Sequence, residues 1–221
     1  MTAAIAVILA AQAQAQIPDA QYADAKTKEA VLQCTNAYAK LRHGVVEFSS
    51  SRGKSTIWLG DRRVRERQPL VEWSYRRPTL SLRVRKSNRL YRGRSLFSDI
   101  PDHLAKGYGS MDPITSRLAR HRNPLSALMG AQTKVKLLGT IVLAGVEHRI
   151  LRVTDGLARI SIYLRAKEHL IGRIESEARD RQDRVLSKGV RVFSYKGLNK
   201  PLPISTFELQ GSALPLSKLG R

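Results

Sequence analysis

The sequence predicts an α+β fold in which one antiparallel sheet packs against a few helices, and three observations predict it. Apolar residues recur at spacings of three and four in one long segment near the N-terminus, which indicates an amphipathic helix. Two series of short segments alternate polar and apolar residues between turn signals, which is typical of antiparallel strands. Between the two series, prolines at two helix-start positions predict short helices.

The first helix is predicted over residues 24–43, with one apolar stripe formed by Val31, Cys34, Tyr38 and Leu41. Such helices draw most of their stability from the packing of that stripe rather than from intrinsic propensity. The stripe therefore predicts that this helix lies across another layer, and the strands that follow can supply it.

Six short strands are predicted next, over 45–50, 55–59, 62–67, 71–76, 79–86 and 90–97. In the fifth, Leu82 and Val84 lie on one side while Arg83 and Arg85 lie on the other, which is the period-2 pattern of a sheet with one buried face. Because the connections are too short for a crossover helix, the series predicts an antiparallel meander.

The middle of the chain departs from this pattern. Asp112-Pro113 and Asn123-Pro124 each place a capping residue before a proline, which predicts helices over 113–121 and 124–129. A further helical turn is predicted over 101–106. Five more strands are predicted over 134–138, 146–154, 159–165, 170–177 and 190–195. The tail that begins at residue 197 is expected to wrap the surface or to add an edge strand.

The chain carries 39 Lys and Arg against 18 Asp and Glu, a formal charge of +21. Such a balance favours an acidic partner, which could be nucleic acid, an anionic membrane or another polyanion. The single cysteine excludes an intramolecular disulfide framework and a cysteine-based zinc cluster. No apolar run reaches the roughly 18 residues of a membrane-spanning helix.

Residues 1–16 are predicted to form a signal peptide, and residues 17–221 a single domain. An apolar stretch over 3–11 is followed by small-x-small cleavage signals in AQAQA. The basic residue that normally precedes the apolar run is missing, so a buried N-terminal helix remains the alternative. Export predicts a periplasmic location, disfavours nucleic acid as a partner and favours anionic lipid.

The residues give no signal for catalysis, for a metal or for a cofactor. The five histidines show no metal-binding spacing, and the sequence has no nucleophile elbow or phosphate-binding glycine loop. The protein is therefore predicted to be non-enzymatic and to work without a cofactor.

Basic residues are concentrated in the strands between residues 62 and 94, with aromatic residues among them. Guanidinium groups bind phosphate oxygens in a fork geometry, and arginine beside aromatic rings is also used to hold single-stranded nucleic acid. A solvated face in an arginine-rich protein is the alternative. The predicted anionic-surface site consists of Arg62, Arg63, Arg65, Arg76, Arg77, Arg83, Arg85, Arg89, Arg92 and Arg94.

The order of these elements resembles that of the LolA-like superfamily of periplasmic lipoprotein-carrier and lipid-binding proteins, over roughly residues 24–209. The similar segments are AYAKLRHGVVEF, VEWSYRRPTLSLRVR, LLGTIVLAGVEHRILRVT, ISIYLRAKEHLIGRIE and NKPLPISTFELQ. The chain departs from the family pattern at Arg165-Ala166, where the late hairpin usually has an acidic residue.

The resemblance implies an incomplete antiparallel β-barrel, a curved sheet wrapped around and covered by a few α-helices, with an apolar cavity between the layers. The cavity candidates are Val46, Phe48, Ile57, Leu59, Trp73, Leu80, Leu82 and Val84. The lid candidates are Leu118, Leu125, Leu128 and Met129. Each of these residues could instead be plain core.

Three functions follow as hypotheses. The first is an exported, monomeric lipid- or lipoprotein-binding protein that carries or senses acyl chains, with an anionic membrane and an envelope protein as further partners. The second is a non-enzymatic regulatory or interaction protein of the envelope on the same fold. The third, a basic nucleic-acid-binding protein, requires that the chain is not exported.

Overall fold

The computed structural model describes residues 18–51, 53–107, 109–120 and 122–220. The predicted signal peptide over 1–16 lies outside the described residues, and so does the last residue of the predicted helix over 113–121. None of the described helices is both long and apolar enough to cross a membrane.

Thirteen strands and three α-helices make up the described chain. The strands are β1 Gln21–Tyr22, β2 Gly44–Ser50, β3 Gly53–Gly60, β4 Arg63–Arg67, β5 Val71–Arg76, β6 Thr79–Val84, β7 Arg89–Arg94, β8 Lys134–Leu143, β9 Val146–Asp155, β10 Ala158–Arg165, β11 Ile171–Arg179, β12 Val185–Lys196 and β13 Ala213–Pro215. The α-helices are α1 Ala25–Lys40, α2 Ile100–Lys106 and α3 Pro113–Ala119. Short 3-10 helices occur at Phe97–Asp99, Pro124–Ala127, Ile204–Phe207 and Leu216–Lys218.

All thirteen strands belong to one sheet, in the order β1-β8-β9-β10-β11-β12-β2-β3-β4-β5-β6-β7-β13. Every pairing is antiparallel except β1 with β8 and β13 with β7, which lie at the two edges. The pairing of β12 with β2 joins the two predicted series of strands. Since the two edge strands do not pair with each other, the sheet stays open, and the predicted architecture of an incomplete antiparallel barrel with helices is confirmed.

Helix α1 begins where the sequence predicts, because Asp24 Oδ1 accepts a hydrogen bond from the Thr27 amide at 2.7 Å. Its apolar stripe is buried against the sheet. The Tyr38 hydroxyl accepts from the Ile171 amide at 3.1 Å and lies 2.6 Å from the Tyr195 hydroxyl, which donates to the Ile171 carbonyl at 2.8 Å. This network fixes the helix to the sheet near the β12–β2 junction.

Several predicted elements differ in their bounds from the observed ones, and the differences in one helix and two strands have a clear physical reason. The predicted helix over 124–129 is a 3-10 helix at Pro124–Ala127, started by Asn123, whose side-chain oxygen accepts from the Leu125 amide at 3.0 Å. Strand β12 begins at Val185 rather than at residue 190, because it pairs with nearly the whole of β11. Strand β8 continues to Leu143 across a register shift between Leu137 and Gly139.

The tail both crosses the surface and adds an edge strand, as predicted. We call residues 204–219 the C-terminal strap. Its first part, through residue 210, lies over the outer face of β4–β7, and its strand β13 pairs with β7. Its last part crosses to the inner face, where Leu216 and Leu219 join the apolar core. Gly60 makes room for the first part, since a Cβ there would lie 2.5 Å from the Phe207 ring.

Candidate anion-binding site

The predicted cavity and lid residues come together in one apolar layer between the inner face of the sheet and the helices. Most of them are fully buried: Val46, Ile57, Leu59, Trp73, Leu80, Leu82, Leu118, Leu125 and Met129. The others, Phe48, Val84 and Leu128, are partly buried against the same cluster. We call α2, α3 and the 3-10 helix Pro124–Ala127 the helical cover. Three clefts at the surface of the protein are lined by other residues.

One carboxyl group lies within this apolar layer. Glu66 is 1% exposed; its Oε2 accepts from Trp73 Nε1 at 2.8 Å, and its Oε1 has no partner among the described residues. Thr115 on α3 also has a buried hydroxyl without a partner. Burial raises the pKa of the Glu66 carboxyl to about 7. The alternation in VRE, which puts Glu66 on the same side of β4 as Val64, is the signal in the sequence that could have indicated its burial.

The outer face of β4–β7 carries most of the predicted arginines, and several of them hold the chain itself together. Arg65 Nη1 donates to the Thr206 carbonyl at 2.6 Å, and Arg92 Nη2 donates to the Leu209 carbonyl at 2.8 Å. Arg83 donates to the Gln210 carbonyl, and Arg85 donates to the carbonyls of residues 68 and 69. These four side chains therefore fix the strap and a turn, in addition to contributing charge.

A second group of arginines has no such partners. Arg63 on β4 and Arg76 on β5 are directly opposite each other, and Arg76 is followed across the sheet by Thr79 on β6 and Arg94 on β7. Among the residues that the structure describes, the guanidinium groups of these three arginines and of Arg77 make no ion pair or hydrogen bond. Like charges directly opposite each other on adjacent strands repel. We call Arg63, Arg76 and Arg94 the arginine row.

The outer cleft, of about 590 Å³, lies between the C-terminal strap and four arginines: Arg63 and Arg76 of the arginine row, Arg77 and Arg92. Its base contains the side chains of Ser74, Thr79 and Ser81. Arginine side chains form its walls, and strap residues 207–210 close it on the far side.

The mouth cleft, of about 820 Å³, lies at the same end of the strands but reaches toward the helical cover. Four arginines line it: Arg62, and the three that it shares with the outer cleft, Arg63, Arg76 and Arg77. Asp61 is the one carboxylate of its lining and forms no ion pair among the described residues. The other wall of the cleft is apolar and aromatic, and consists of Val64, Tyr75, Phe97 and Ala119. A cleft of this composition can accept a molecule that is anionic at one end and apolar at the other.

A third cleft, of about 450 Å³, lies beside α1 and includes Gln33 and His169. Arg149 bridges these two residues, donating to Gln33 Oε1 at 2.6 Å and to His169 Nδ1. Burial and the Arg149 charge lower the pKa of His169, which favours the neutral ring that accepts this bond. In the part of the chain that the structure describes, no three His, Cys, Asp or Glu side chains are grouped so that they could hold a metal ion.

No family model matches the chain, and no curated protein does. Comparison with solved structures finds similarity to MucB, at 17% identity and a TM-score of 0.43, over 86% of this chain and 64% of MucB. LppX, a lipoprotein from Mycobacterium tuberculosis, matches at 11% identity and a TM-score of 0.48, over 82% of this chain and 100% of LppX. LprF from Mycobacterium bovis matches at 7% identity and a TM-score of 0.48, over 82% of this chain and 96% of LprF. The chain thus spans less than two thirds of MucB, and these similarities concern the fold alone.

Proposed function

We propose that this protein binds an anionic amphiphile of the bacterial envelope, either a lipid or the acylated part of a lipoprotein. The apolar chain lies between the sheet and the helical cover, and the acidic headgroup lies at the mouth cleft. The observation that carries the proposal is the composition of this cleft. Arg62 and its neighbouring arginines line one wall, and apolar surface comes from Ala119 of the cover and from Phe97, which lies just before α2.

The construction of the helical cover supports entry of an apolar chain. Helices α2 and α3 are only seven residues long, so they are not stable by themselves and are held by their apolar contacts with the sheet. An acyl chain can replace those contacts, at about 0.8 kcal/mol for each buried methylene. Outward movement of the cover would then make space without unfolding the sheet.

The arginines at the mouth cleft support an acidic headgroup. Each basic residue near an anionic membrane surface contributes about 1 kcal/mol to attraction. Forked guanidinium groups also bind phosphate or carboxylate oxygens at close range. The same side chains can therefore guide the protein to a membrane and hold the headgroup of a bound molecule.

Lipid uptake with a blocked mouth tests the proposal. The wild-type protein is expected to bind a fluorescent fatty acid and to carry lipid that mass spectrometry detects after purification without detergent. Ala119→Trp fills the mouth cleft and is expected to weaken binding at least tenfold. Ala105→Trp makes the same change at an exposed position of α2 and is the matched control. A wild-type protein that neither carries lipid nor takes up the probe would refute the proposal.

The proposed location in the envelope is tested separately. Residues 1–16 fused to a reporter that is active only after export are expected to direct it to the periplasm. A reporter retained in the cytoplasm, together with an affinity for DNA or RNA that falls steeply with salt, would favour the nucleic-acid hypothesis instead.

A further inference from the structure

We infer that the outer cleft is a second site, which binds the oxyanion of a phosphate group independently of any apolar chain. The ligand is either free inorganic phosphate or the phosphate of a lipid headgroup, since both present the same oxygens. The inference concerns the space beneath the C-terminal strap, whereas the proposed function concerns the space beneath the helical cover.

The charge balance across the outer face points to a missing anion. In the middle of these strands, Arg65 and Arg67 both pair with Glu72, at 2.6 and 3.0 Å. None of the three arginines of the row pairs with a carboxylate among the described residues, although Arg63 and Arg76 are directly opposite each other. A bound anion would offset this repulsion.

One carboxylate does line the outer cleft, on the strap side. It belongs to Glu208, whose Oε2 accepts from Gln210 Nε2 at 3.3 Å. Glu208 forms no ion pair with any residue that the structure describes. The cluster of guanidinium groups thus retains its charge.

The polar groups at the base of the cleft also suit a phosphate. Ser74 and Ser81 are 5% and 8% exposed. The Ser74 hydroxyl already donates to the Phe207 carbonyl, so Ser81 is the donor that matters here. The Ser81 oxygen accepts from Arg92 Nε at 3.0 Å, which leaves its hydroxyl proton free to donate. Phosphate oxygens accept hydrogen bonds, and guanidinium groups with a hydroxyl provide donors for them in a fork geometry.

The strap makes the cleft preformed. Its main chain is tied to the sheet by Arg65 and Arg92, and its Leu216 side chain is buried over Gly93. A site whose walls are already fixed loses little conformational entropy when a ligand binds. This is why a small anion, with few contacts, can bind here measurably.

The test is a thermal-shift titration with sodium phosphate, in which sodium chloride holds the ionic strength constant. At saturating phosphate the wild-type melting temperature is expected to rise by about 3 °C. The double variant Arg63→Gln/Arg76→Gln is expected to lose this rise, and Ser81→Ala is expected to weaken the binding of phosphate about fivefold. The control Lys86→Gln/Arg89→Gln removes the same charge at exposed positions outside both clefts and should behave as wild type.

A vesicle arm separates the two sources of phosphate. Sedimentation of the protein is measured with phosphatidylglycerol vesicles and with phosphatidylcholine vesicles. If the protein sediments only with the former, and if this sedimentation is lost in Arg63→Gln/Arg76→Gln more than in Lys86→Gln/Arg89→Gln, the site binds a lipid headgroup. Thermal shift without such sedimentation would assign it to free phosphate. Equal responses of all variants to phosphate, with vesicle binding that follows only net charge, would overturn the inference. Ala119→Trp should keep the phosphate response even if it abolishes lipid uptake, so the two proposals can fail separately.

Discussion

Replacement of Glu66 by Gln should change how the stability of the protein depends on pH. Burial raises the pKa of this carboxyl from its ordinary value of 4.5 to about 7. In the unfolded chain the carboxyl releases its proton near pH 4.5. Between pH 4.5 and pH 7 the folded state therefore holds a proton that the unfolded state has lost. Stability contributed by Glu66 is therefore complete below pH 4.5 and is lost as the pH rises through 7. The shift corresponds to about 3 kcal/mol.

The Glu66→Gln variant keeps an acceptor for Trp73 Nε1 and cannot ionise. We expect its free energy of unfolding to match that of the wild type within about 1 kcal/mol at pH 4.5 and to exceed it by about 3 kcal/mol at pH 8. Urea unfolding followed by tryptophan fluorescence at a series of pH values measures both. When the free energy of unfolding of one protein is subtracted from that of the other, the contributions of all titrating groups that the two proteins share cancel.

Glu72→Gln on the next strand is the control with the opposite sign. Burial raises the pKa of Glu72, but its pairs with Arg65 and Arg67 outweigh burial and hold the pKa below 4.5. This substitution should therefore lower stability at neutral pH and have less effect in acid. If wild type and Glu66→Gln show parallel pH profiles between 5 and 8, the reasoning about the buried carboxyl is wrong.

Two further predictions concern the strap and the cysteine. Leu216→Ala should lower the free energy of unfolding, measured in urea, by about 2–3 kcal/mol, because Leu216 is only 8% exposed. Leu214→Ala, at a 40% exposed position, is the control and should lower it by less than about 1 kcal/mol. Equal losses in the two variants would contradict the packing of the strap. Cys34 is fully buried and its thiol pKa is strongly raised by burial, so a colourimetric thiol reagent should label it in urea but not in buffer. Rapid labelling of the native protein would contradict this.

The meander of β2–β7 could be predicted from the sequence because its signals are local. Alternation of the kind seen at Leu82 and Arg83 fixes which side of a strand is buried, and a tight turn fixes its neighbour. The start of α1 at Asp24 is equally local, since capping depends on residues three positions apart.

The pairing of β12 with β2 and the course of the strap could not be predicted in the same way. No local pattern states that Val192 lies beside Ser49, because many exposed strand edges could accept that partner. Likewise, nothing in the sequence around Arg92 distinguishes an arginine that binds a strap carbonyl from one that faces solvent. The candidate site was therefore predicted as a group of ten arginines, and only the fold shows which of them hold the chain, which line a cleft, and that Arg92 does both.

The order of the strands also has a consequence for how the chain folds. The pairs within β2–β7 and within β8–β12 join neighbours in sequence, so each half can form from contacts of short range. The pair of β12 with β2 closes a loop that contains almost the whole domain, and such contacts are slow to form. We therefore expect two fast-forming half-sheets and a slow step in which they join. During synthesis, the edge of the N-terminal half-sheet at β2 therefore stays unpaired and exposed until β12 has been synthesised.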